Sequence, residues 1–592
     1  MDVYTLDFET YYDQEYSLSK MTTEAYVRDP RFEVLGLAIK KNDKKTKYTN
    51  DPALIERLLS HIDFSDSAIL AQNTMFDGAI LSWRYNVKPK VWFDTMNMGR
   101  ALHGVETGAS LRALSERYGI GEKGFEVLAA KGKRAADFTA EEAKKYGEYC
   151  IQDVELTYKL FKIMGAKFPR QELKLIDVTL RMFIDPVLDL DLGLLEQHLE
   201  DTRDRKDKLL IDAGIVDKKD LMSNLKFAEL LEGLGVIPPT KISLTTGKEA
   251  YAFAKSDEAF KALLEHEDDR VQSLVAARLG NKSTLEETRT ERFIGISNRG
   301  LLPVPVRYYA AHTGRWGGAD KINLQNLPSR GLNGKKLKKA IIAPEGHSIV
   351  EADSSQIEAR VLAWFAGQDD LTAAFARGED VYVKMAARIY NVAEADVTKD
   401  QRFVGKTTIL GAGYGMGAEK FGMQLKTFGY EVTPDEAKRI ITIYREANHK
   451  ISKVWRDANY MVKQLANGRG VQFGKKGIIK VDSANTALIV PSGLSIFYPE
   501  LYAEETETGL EYSYKVRRGR SRLYGGKVIE NVCQAIARCI IGEQMLRINK
   551  KYNVVLTVHD SILCCVPDAE VAEAREFVEA SMRWTPDWAE GL

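Results

Sequence analysis

Short apolar runs alternate with amphipathic stretches through the first 165 residues. Residues 3–8, 34–39 and 68–70 are β-rich, while 52–59 and 140–160 carry helical spacing, a pattern that predicts an α/β region. From residue 170 to 293 the chain turns long, charged and helical, with helices predicted over 192–210 and 257–279. Pro238-Pro239 and Thr246-Gly247 mark loops within it. A Gly/Asn-rich extended region follows at 301–333, and the polar stretch 329–334 is too short for a linker. Residues 349–353 read as a strand ending in Asp353. Ile357, Val361, Leu362 and Phe365 then recur at helical spacing, so Asp353 lies at a strand-to-helix junction. Helices continue to residue 464, before a β-rich and helical close. Near its end, apolar runs 554–558 and 562–566 flank His559-Asp560-Ser561, a hairpin with an acid at its tip. There is no internal repeat or low-complexity segment.

A length of 592 residues predicts roughly three or four domains, and 44% apolar with 28% charged residues argues against disorder or fibrous repeats. No run approaches the roughly 18 apolar residues of a membrane span, and the acidic N-terminus lacks the apolar core of a signal peptide. Cys150, Cys533, Cys539, Cys564 and Cys565 form no C-x-x-C pair, which argues against a zinc cluster. Their odd number argues against a disulfide framework and fits a reducing cytoplasm. Lys plus Arg equals Asp plus Glu at 84 each, so no global surplus advertises a polyanionic partner. The charge is segregated, however. Residues 301–340 hold eight basic residues against one acid, and 511–530 hold six against two, while 568–590 hold seven acids against two basic residues. Zero net charge is therefore compatible with a focused cationic channel.

Asp7 and Glu9 lie two apart in a predicted strand and leave the same face. Such carboxylates repel each other unless a cation such as magnesium or manganese neutralises them. A lone D-x-E is more often a solvated edge, but two further segments join it. Asn73, Phe76 and Asp77 follow an apolar run, and Tyr149 and Asp153 share a helical face at i, i+4. Four acids and a tyrosine can hold two metals and orient water for phosphodiester hydrolysis. LDFET, the segment 73–77 and YCIQD resemble the motifs of DEDD-type 3′–5′ exonucleases in their tyrosine form. That resemblance implies an RNase H-like domain over 1–165, with Asp7, Glu9, Asp77 and Asp153 as metal ligands and Tyr149 positioning the water.

In the second half, Asp353 and Asp560 could share two metals if their strands pair. Between them, Arg402, Lys406, Leu410 and Tyr414 fall four apart on one helical face, loosened at its end by Gly411, Gly413 and Gly415. Arg offers a planar fork and Lys a point charge to a triphosphate. Two basic residues alone would suit a solvated face, but the apolar Leu410 and Tyr414 continue this one. These segments resemble motifs A, B and C of family A (DNA polymerase I-like) DNA polymerases of the phage-like branch. The likeness includes HTGRWGG with NLQNLP (312–328), DSSQIEAR (353–360), QRFVGKTTILGAGYGMG, YGGKVIENVCQAIAR (524–538) and VHDS (558–561). LGNKSTLEETRTERF (279–293) looks like the family's thumb.

The resemblance implies an α/β and α+β multidomain chain, its exonuclease domain followed by a right-hand polymerase. The thumb is helical (166–300), the palm an antiparallel sheet (301–365 and 491–592), and the fingers helical (366–490). It implies two Mg2+ or Mn2+ per active site, held in the palm by Asp353, Asp560 and the Ser354 carbonyl. Arg402 and Lys406 would bind the triphosphate, and Gln356, Glu358, Leu410 and Tyr414 the rest of the nucleotide. Glu358 would exclude a 2′-hydroxyl, and Tyr414 would stack near the template. Arg315, Gln325, Gln534 and His559 would meet the primer terminus and minor groove, Lys282 and Ser283 the duplex phosphates. The expected partners are primer–template DNA, dNTPs and an unidentified replisome or processivity factor. The expected setting is a monomer in the cytoplasm, a bacterial host's if phage-encoded. Ser561, Ser354 and Leu410 depart from the residues usual at their positions. The sequence also ends at WAEGL, where the family usually continues into another palm strand. The competing expectations are a single-subunit RNA polymerase, a decayed DNA-binding scaffold and a chain active only as nuclease. Glu358 and the N-terminal motifs oppose the first, and retention of Asp353, Asp560, Arg402 and Lys406 opposes the second. Leu410→Phe is expected to alter the rate of single-turnover nucleotide incorporation and its sensitivity to dideoxynucleotides; unchanged values for both would remove the importance of Leu410.

Overall fold

A computed structural model describes all residues except 125–129, 244–246, 328–333 and 508. Thr246, Pro328, Arg330 and most of the polar stretch at 329–334 therefore lie outside the described residues. The chain divides into two compact units. The larger comprises Met1–Val187, Pro303–Gln325 and Ala343–Leu592, and the smaller Leu188–Leu302 and Asn326–Ile342.

The larger unit opens with a five-stranded sheet of β1 (Asp2–Thr10), β2 (Val34–Lys41), β3 (Lys47–Thr49), β4 (Ser67–Ala71) and β5 (Val91–Asp94), ordered β3-β2-β1-β4-β5. β2 runs antiparallel to β1 and β3, whereas β4 is parallel to β1 and β5. Every residue of β4 is buried, as expected for a strand covered on both faces. Helix α1 (Thr74–Tyr85) follows β4 directly. Helix α2 (Ala140–Gly165) starts at a capping box in which Thr139 and Glu142 satisfy each other's backbone N–H groups. Helix α3 (Arg170–Ile184) then closes over the sheet region: the Trp83 indole donates to the Ile184 carbonyl at 2.9 Å and the Trp92 N–H to Asp177 at 2.8 Å. Residues 166–187, expected from the sequence to open the helical section, accordingly fall in the larger unit.

The smaller unit packs α4 (Leu192–Asp212) against α5 (Asp269–Asn281) and α6 (Leu285–Ser297), and pairs Asp189–Leu190 with Ile341–Ile342. Residues 326–342 thus belong here and not with the surrounding palm segment anticipated over 301–365. The helix predicted over 257–279 is broken. A short helix at Glu258–Ala262 and a tight turn end at His266, and Asp268 caps a new helix by accepting from the Arg270 N–H at 2.8 Å. The core centres on Phe227, Phe253 and Phe260, with the Arg278 guanidinium 4.4 Å above the Phe227 ring.

The remainder of the larger unit contains β6 (His347–Asp353), α7 (Ile357–Ala366), α8 (Val381–Tyr390), α9 (Lys399–Ala412), α10 (Pro434–Ala447) and α11 (His449–Ala466). Small antiparallel sheets follow between residues 472 and 523. Then come α12 (Gly525–Ile548), the hairpin β7 (Asn553–Val558) and β8 (Ser561–Pro567), and α13 (Val571–Arg583). β8 lies between β6 and β7, antiparallel to both, in a register that sets Asp353 opposite Ser561. Helix α12 is buried along most of its length because it packs against both α7 and α11.

A polar knot fastens α12 to the start of α3. Arg538 and Glu172, both buried, form a bidentate pair, with Nη2 2.8 Å from Oε2. The Tyr308 hydroxyl donates to the same carboxylate at 2.5 Å, and Arg538 Nε donates to the Gly314 carbonyl at 3.0 Å. The guanidinium also stacks 4.7 Å from the Trp316 ring. Glu172→Leu should destabilise the larger unit by about 3–5 kcal/mol, because it leaves a buried guanidinium unpaired. A urea unfolding midpoint that does not fall would contradict this, and Glu172→Leu combined with Arg538→Met should recover most of the loss.

Candidate active sites

The first site forms where β1, α1 and α2 meet. Asp7 and Glu9 leave the same face of β1. The Phe8 N–H between them donates to Asp77 Oδ1 at 3.0 Å, which bolts the first turn of α1 to the strand. On α2, Asp153 and Tyr149 lie one turn apart, and burial and the Asp153 charge raise the Tyr149 hydroxyl above its ordinary pKa. All five residues singled out in the sequence therefore converge. Burial and the neighbouring Asp153 charge push the Asp7 carboxyl up to about 7. Burial and the Asp7 charge likewise hold Glu9 and Asp77 well above the usual carboxylate range. Carboxylates crowded and dried in this way fit a site for hard divalent cations.

Three neighbours were not assigned roles from the sequence. The Tyr146 hydroxyl donates to Glu9 Oε2 at 2.6 Å, and its ring stacks on Tyr149 with centroids 6.2 Å apart. Its i, i+3 spacing from Tyr149 was the available signal. Cys150 Sγ lies 3.4 Å from the Asp7 carbonyl, and its ligand atom falls with those of Asp7 and Glu9 within 4.8 Å of one another. Lys123 ion-pairs with Asp153 and lies 5.0 Å from the Tyr149 ring centroid, a contact across 30 residues that no local pattern announces. Beside Glu9 a cavity of about 250 Å³ opens between Phe8, Tyr12, Leu18, Tyr26 and Phe76.

The second site is built on β6 and the β7–β8 hairpin. The Ser354 N–H donates to the Asp560 carbonyl at 3.0 Å, so Asp353 at the end of β6 and Asp560 at the hairpin tip are neighbours. His559 takes a left-handed conformation (φ 54°) to make that tip. The Arg315 guanidinium ion-pairs with Glu358 and stands 3.6 Å from Asp560 Oδ1. Burial raises the Asp560 pKa; Arg315 opposes that shift, while Glu358 and Asp353 add to it. The Tyr414 hydroxyl donates to the other Glu358 oxygen at 3.3 Å. Ser561, at the tip's far side, donates to Glu351 Oε1 at 3.0 Å, which brings a carboxylate of β6 to the hairpin.

Arg402 on α9 donates to Asp380 at 2.7 Å, and its guanidinium and the Lys406 ammonium lie 5.4 and 6.0 Å from the Tyr382 ring centroid. Tyr382 was not identified from the sequence; Gln356 takes a left-handed backbone (φ 58°) just before α7. Leu410 is 41% exposed. The single helical face expected for residues 402, 406, 410 and 414 stops short: α9 ends at Ala412, and Tyr414 sits in the turn beyond it. Gly526 allows α12 to begin against that turn, since a Cβ there would stand 2.2 Å from the Tyr414 carbonyl.

Gln325 is buried and donates to the Thr557 carbonyl of β7 at 3.4 Å. On α12, Gln534 accepts from the Thr313 hydroxyl at 3.3 Å. Lys282 and Ser283 lie in the smaller unit. There the Lys282 ammonium donates to the Phe253 carbonyl at 3.3 Å, and the Ser283 carbonyl accepts from Lys206 at 2.5 Å.

A sequence model described as DNA polymerase family A matches residues 195–589. A DNA polymerase of Bacillus phage SP02 is 25% identical, with the alignment covering 100% of this chain and 98% of that protein. DNA polymerase I of Pseudomonas aeruginosa is 29% identical over 58% of this chain, which spans 38% of that enzyme's length. DNA polymerase I of Borreliella burgdorferi is 23% identical over 88% of this chain, and 54% of its own length is covered. Among solved structures, the POL domain of Pol1 from M. smegmatis, in complex with DNA primer-template and dNTP, shares the fold. Its TM-score is 0.69 at 20% identity, covering 98% of this chain and 92% of that one. Among the described residues no helix is long and apolar enough to cross a membrane.

Lys123 competes electrostatically with any cation at the first site. Lys123→Ala should tighten Mn2+ binding by about tenfold, since it removes one nearby cation that shares the carboxylates and repels the metal. Calorimetric titration of Mn2+ into both proteins checks this, and weaker or equal binding by the variant would refute it.

Proposed function

The chain belongs to DNA polymerase family A, whose chemistry is DNA-templated synthesis, and we propose that it extends a primer 3′-hydroxyl from dNTPs by two-metal transfer and proofreads through its N-terminal site. The observation that carries the polymerase reading is the adjacency of Asp353 and Asp560 across β6 and the hairpin tip. Together with the Ser354 carbonyl they would hold Mg2+ or Mn2+, two per site. Bound there, such ions lower the pKa of a hydroxyl and neutralise charge on phosphate oxygens.

The chain's own residues then orient and discriminate. Arg402 exchanges Asp380 for the triphosphate, which it grips with its planar fork, while Lys406 adds a point charge near the leaving phosphates. Glu358, held by Arg315 and Tyr414, faces the sugar and leaves no room for a 2′-hydroxyl. Gln356 and Leu410 contact the incoming nucleotide, and Tyr414 supports the templating position. Arg315, Gln325, Gln534 and His559 read the primer terminus through minor-groove acceptors, which are alike for every base pair. Lys282 and Ser283 meet duplex phosphates. In this reading the smaller unit acts as thumb, and the β6–β8–β7 sheet as palm.

For the exonuclease, Asp7, Glu9, Asp77 and Asp153 form the cation-binding set. Tyr149 orients the attacking water, with Tyr146 fixing Glu9. The mixed five-stranded sheet that positions them supports the RNase H-like reading.

A primer–template assay with magnesium, with and without dNTPs, tests both halves. Asp7→Ala should abolish primer degradation and leave extension intact. Asp560→Ala should lower extension by at least about a hundredfold, as for loss of a principal electrostatic group, and leave degradation intact. Extension unaffected by Asp560→Ala would overturn the polymerase assignment of these residues.

A further inference from the structure

The segment from Arg315 to Gln325 is an arch whose feet both stand on the catalytic hairpin. Arg315 lies 3.6 Å from Asp560, and Gln325 donates to the Thr557 carbonyl at 3.4 Å. Its tip is the turn Ala319-Asp320-Lys321-Ile322, closed by the Ile322 N–H donating to the Ala319 carbonyl at 2.9 Å. Both central residues are left-handed (φ 48° and 60°), the geometry for which Asn-Gly, Asp-Gly or Gly-Gly is the unstrained choice. Asp320 suits the first position, but Lys321 stands where Gly is expected, and both side chains are engaged far away in sequence. Asp320 accepts from the Thr23 N–H at 2.7 and 2.9 Å and from the Thr23 hydroxyl at 3.0 Å. The Lys321 ammonium donates to the Ser19 and Met21 carbonyls, both at 2.9 Å, and to that of Leu18 at 3.3 Å. The gripped segment meets the cavity beside Glu9 at Leu18, which lines it next to Ser17.

We propose that Asp320 and Lys321 are positioning residues that couple the two active sites, the arch transmitting the state of the primer terminus at the polymerase hairpin to the wall of the exonuclease cavity. The idea rests on the exonuclease reading above. A terminus that displaces Arg315 or Gln325 moves the arch, and the arch carries residues 18–23 with it, because the turn binds their backbone and not merely their side chains. The N-terminal region is separately held to α3 through Trp83 and Trp92, so releasing the turn does not detach it.

The test is the pair Asp320→Gly with Lys321→Gly, which keeps a turn that accepts both left-handed positions while removing the grip. Three rates are compared with the unsubstituted chain: hydrolysis of a single-stranded oligonucleotide, single-turnover extension of a matched primer, and excision relative to extension of a mismatched primer–template. The first two should be unchanged, and the third should fall by about fivefold or more, the lower range of site-to-site coupling. An unmoved ratio overturns the coupling. So does single-strand hydrolysis falling by the same factor, which would reduce the turn to a prop for the cavity wall. If the unsubstituted chain hydrolyses no single strand, the exonuclease reading fails and the coupling with it. Hydrolysis with an unmoved ratio overturns the coupling alone.

Discussion

The buried pair of Arg538 and Glu172 joins residues 366 positions apart and determines where the Gly314–Arg315 segment stands. A guanidinium taken out of water is costly unless its donors are met in plane, and here a bidentate carboxylate and a carbonyl meet them. The carbonyl belongs to Gly314, so the orientation of Arg538 sets the height of the next residue, Arg315. Arg315 in turn is the cation that lies between Glu358 and Asp560. Packing alone could hold α12 against α3 at many small offsets. A fork of hydrogen bonds tolerates few, which is how a distant pair fixes a reactive neighbourhood.

Both sites answer the same electrostatic problem with different means. Strand geometry forces like charges together: Asp7 and Glu9 by alternation along β1, Asp353 and Asp560 by register across a sheet and its hairpin tip. Burial then raises the cost of leaving Asp7, Glu9 and Asp560 ionised. At the first site a lysine from a loop, Lys123, offsets one carboxylate; at the second an arginine offsets two. Each cation is thus a partial counter-charge that a ligand or substrate must share or displace, and each site is more acidic than its counter-charge can neutralise. The zero net charge of the chain conceals this, since acidic centres and cationic stretches cancel only in the sum.

Much of this was legible in the sequence because it depends on local period. Alternation placed Asp7 with Glu9, helical spacing placed Tyr149 with Asp153, and two apolar runs around His559-Asp560 announced the hairpin. What escaped depends on chain reversals. Lys123, Tyr382 and Glu172 each meet their partners across loops or whole domains, and nothing in their immediate neighbours marks them. Periodicity also overreached at Tyr414, because a helix that ends at Ala412 cannot carry its face two residues further, and at 257–279, where Asp268 caps a second helix. The glycines at 411, 413 and 415 were correctly a sign of loosening, but they end the helix sooner than the four-residue rhythm suggested.

The turn at Asp320-Lys321 shows why such features hide. A hairpin turn is recognised in a sequence by the residues that make it cheap, and this one has Lys321 where the glycine would stand. Left-handed conformations cost a lysine some strain, and a position that holds Lys321 despite that strain recovers it through contacts. The contacts found are all to backbone or to Thr23, which no side-chain pairing rule would have linked to residue 320. Local strain at this tip is therefore informative where local pattern is silent: Lys321, ill suited to its backbone, reaches 300 positions back along the chain to Met21.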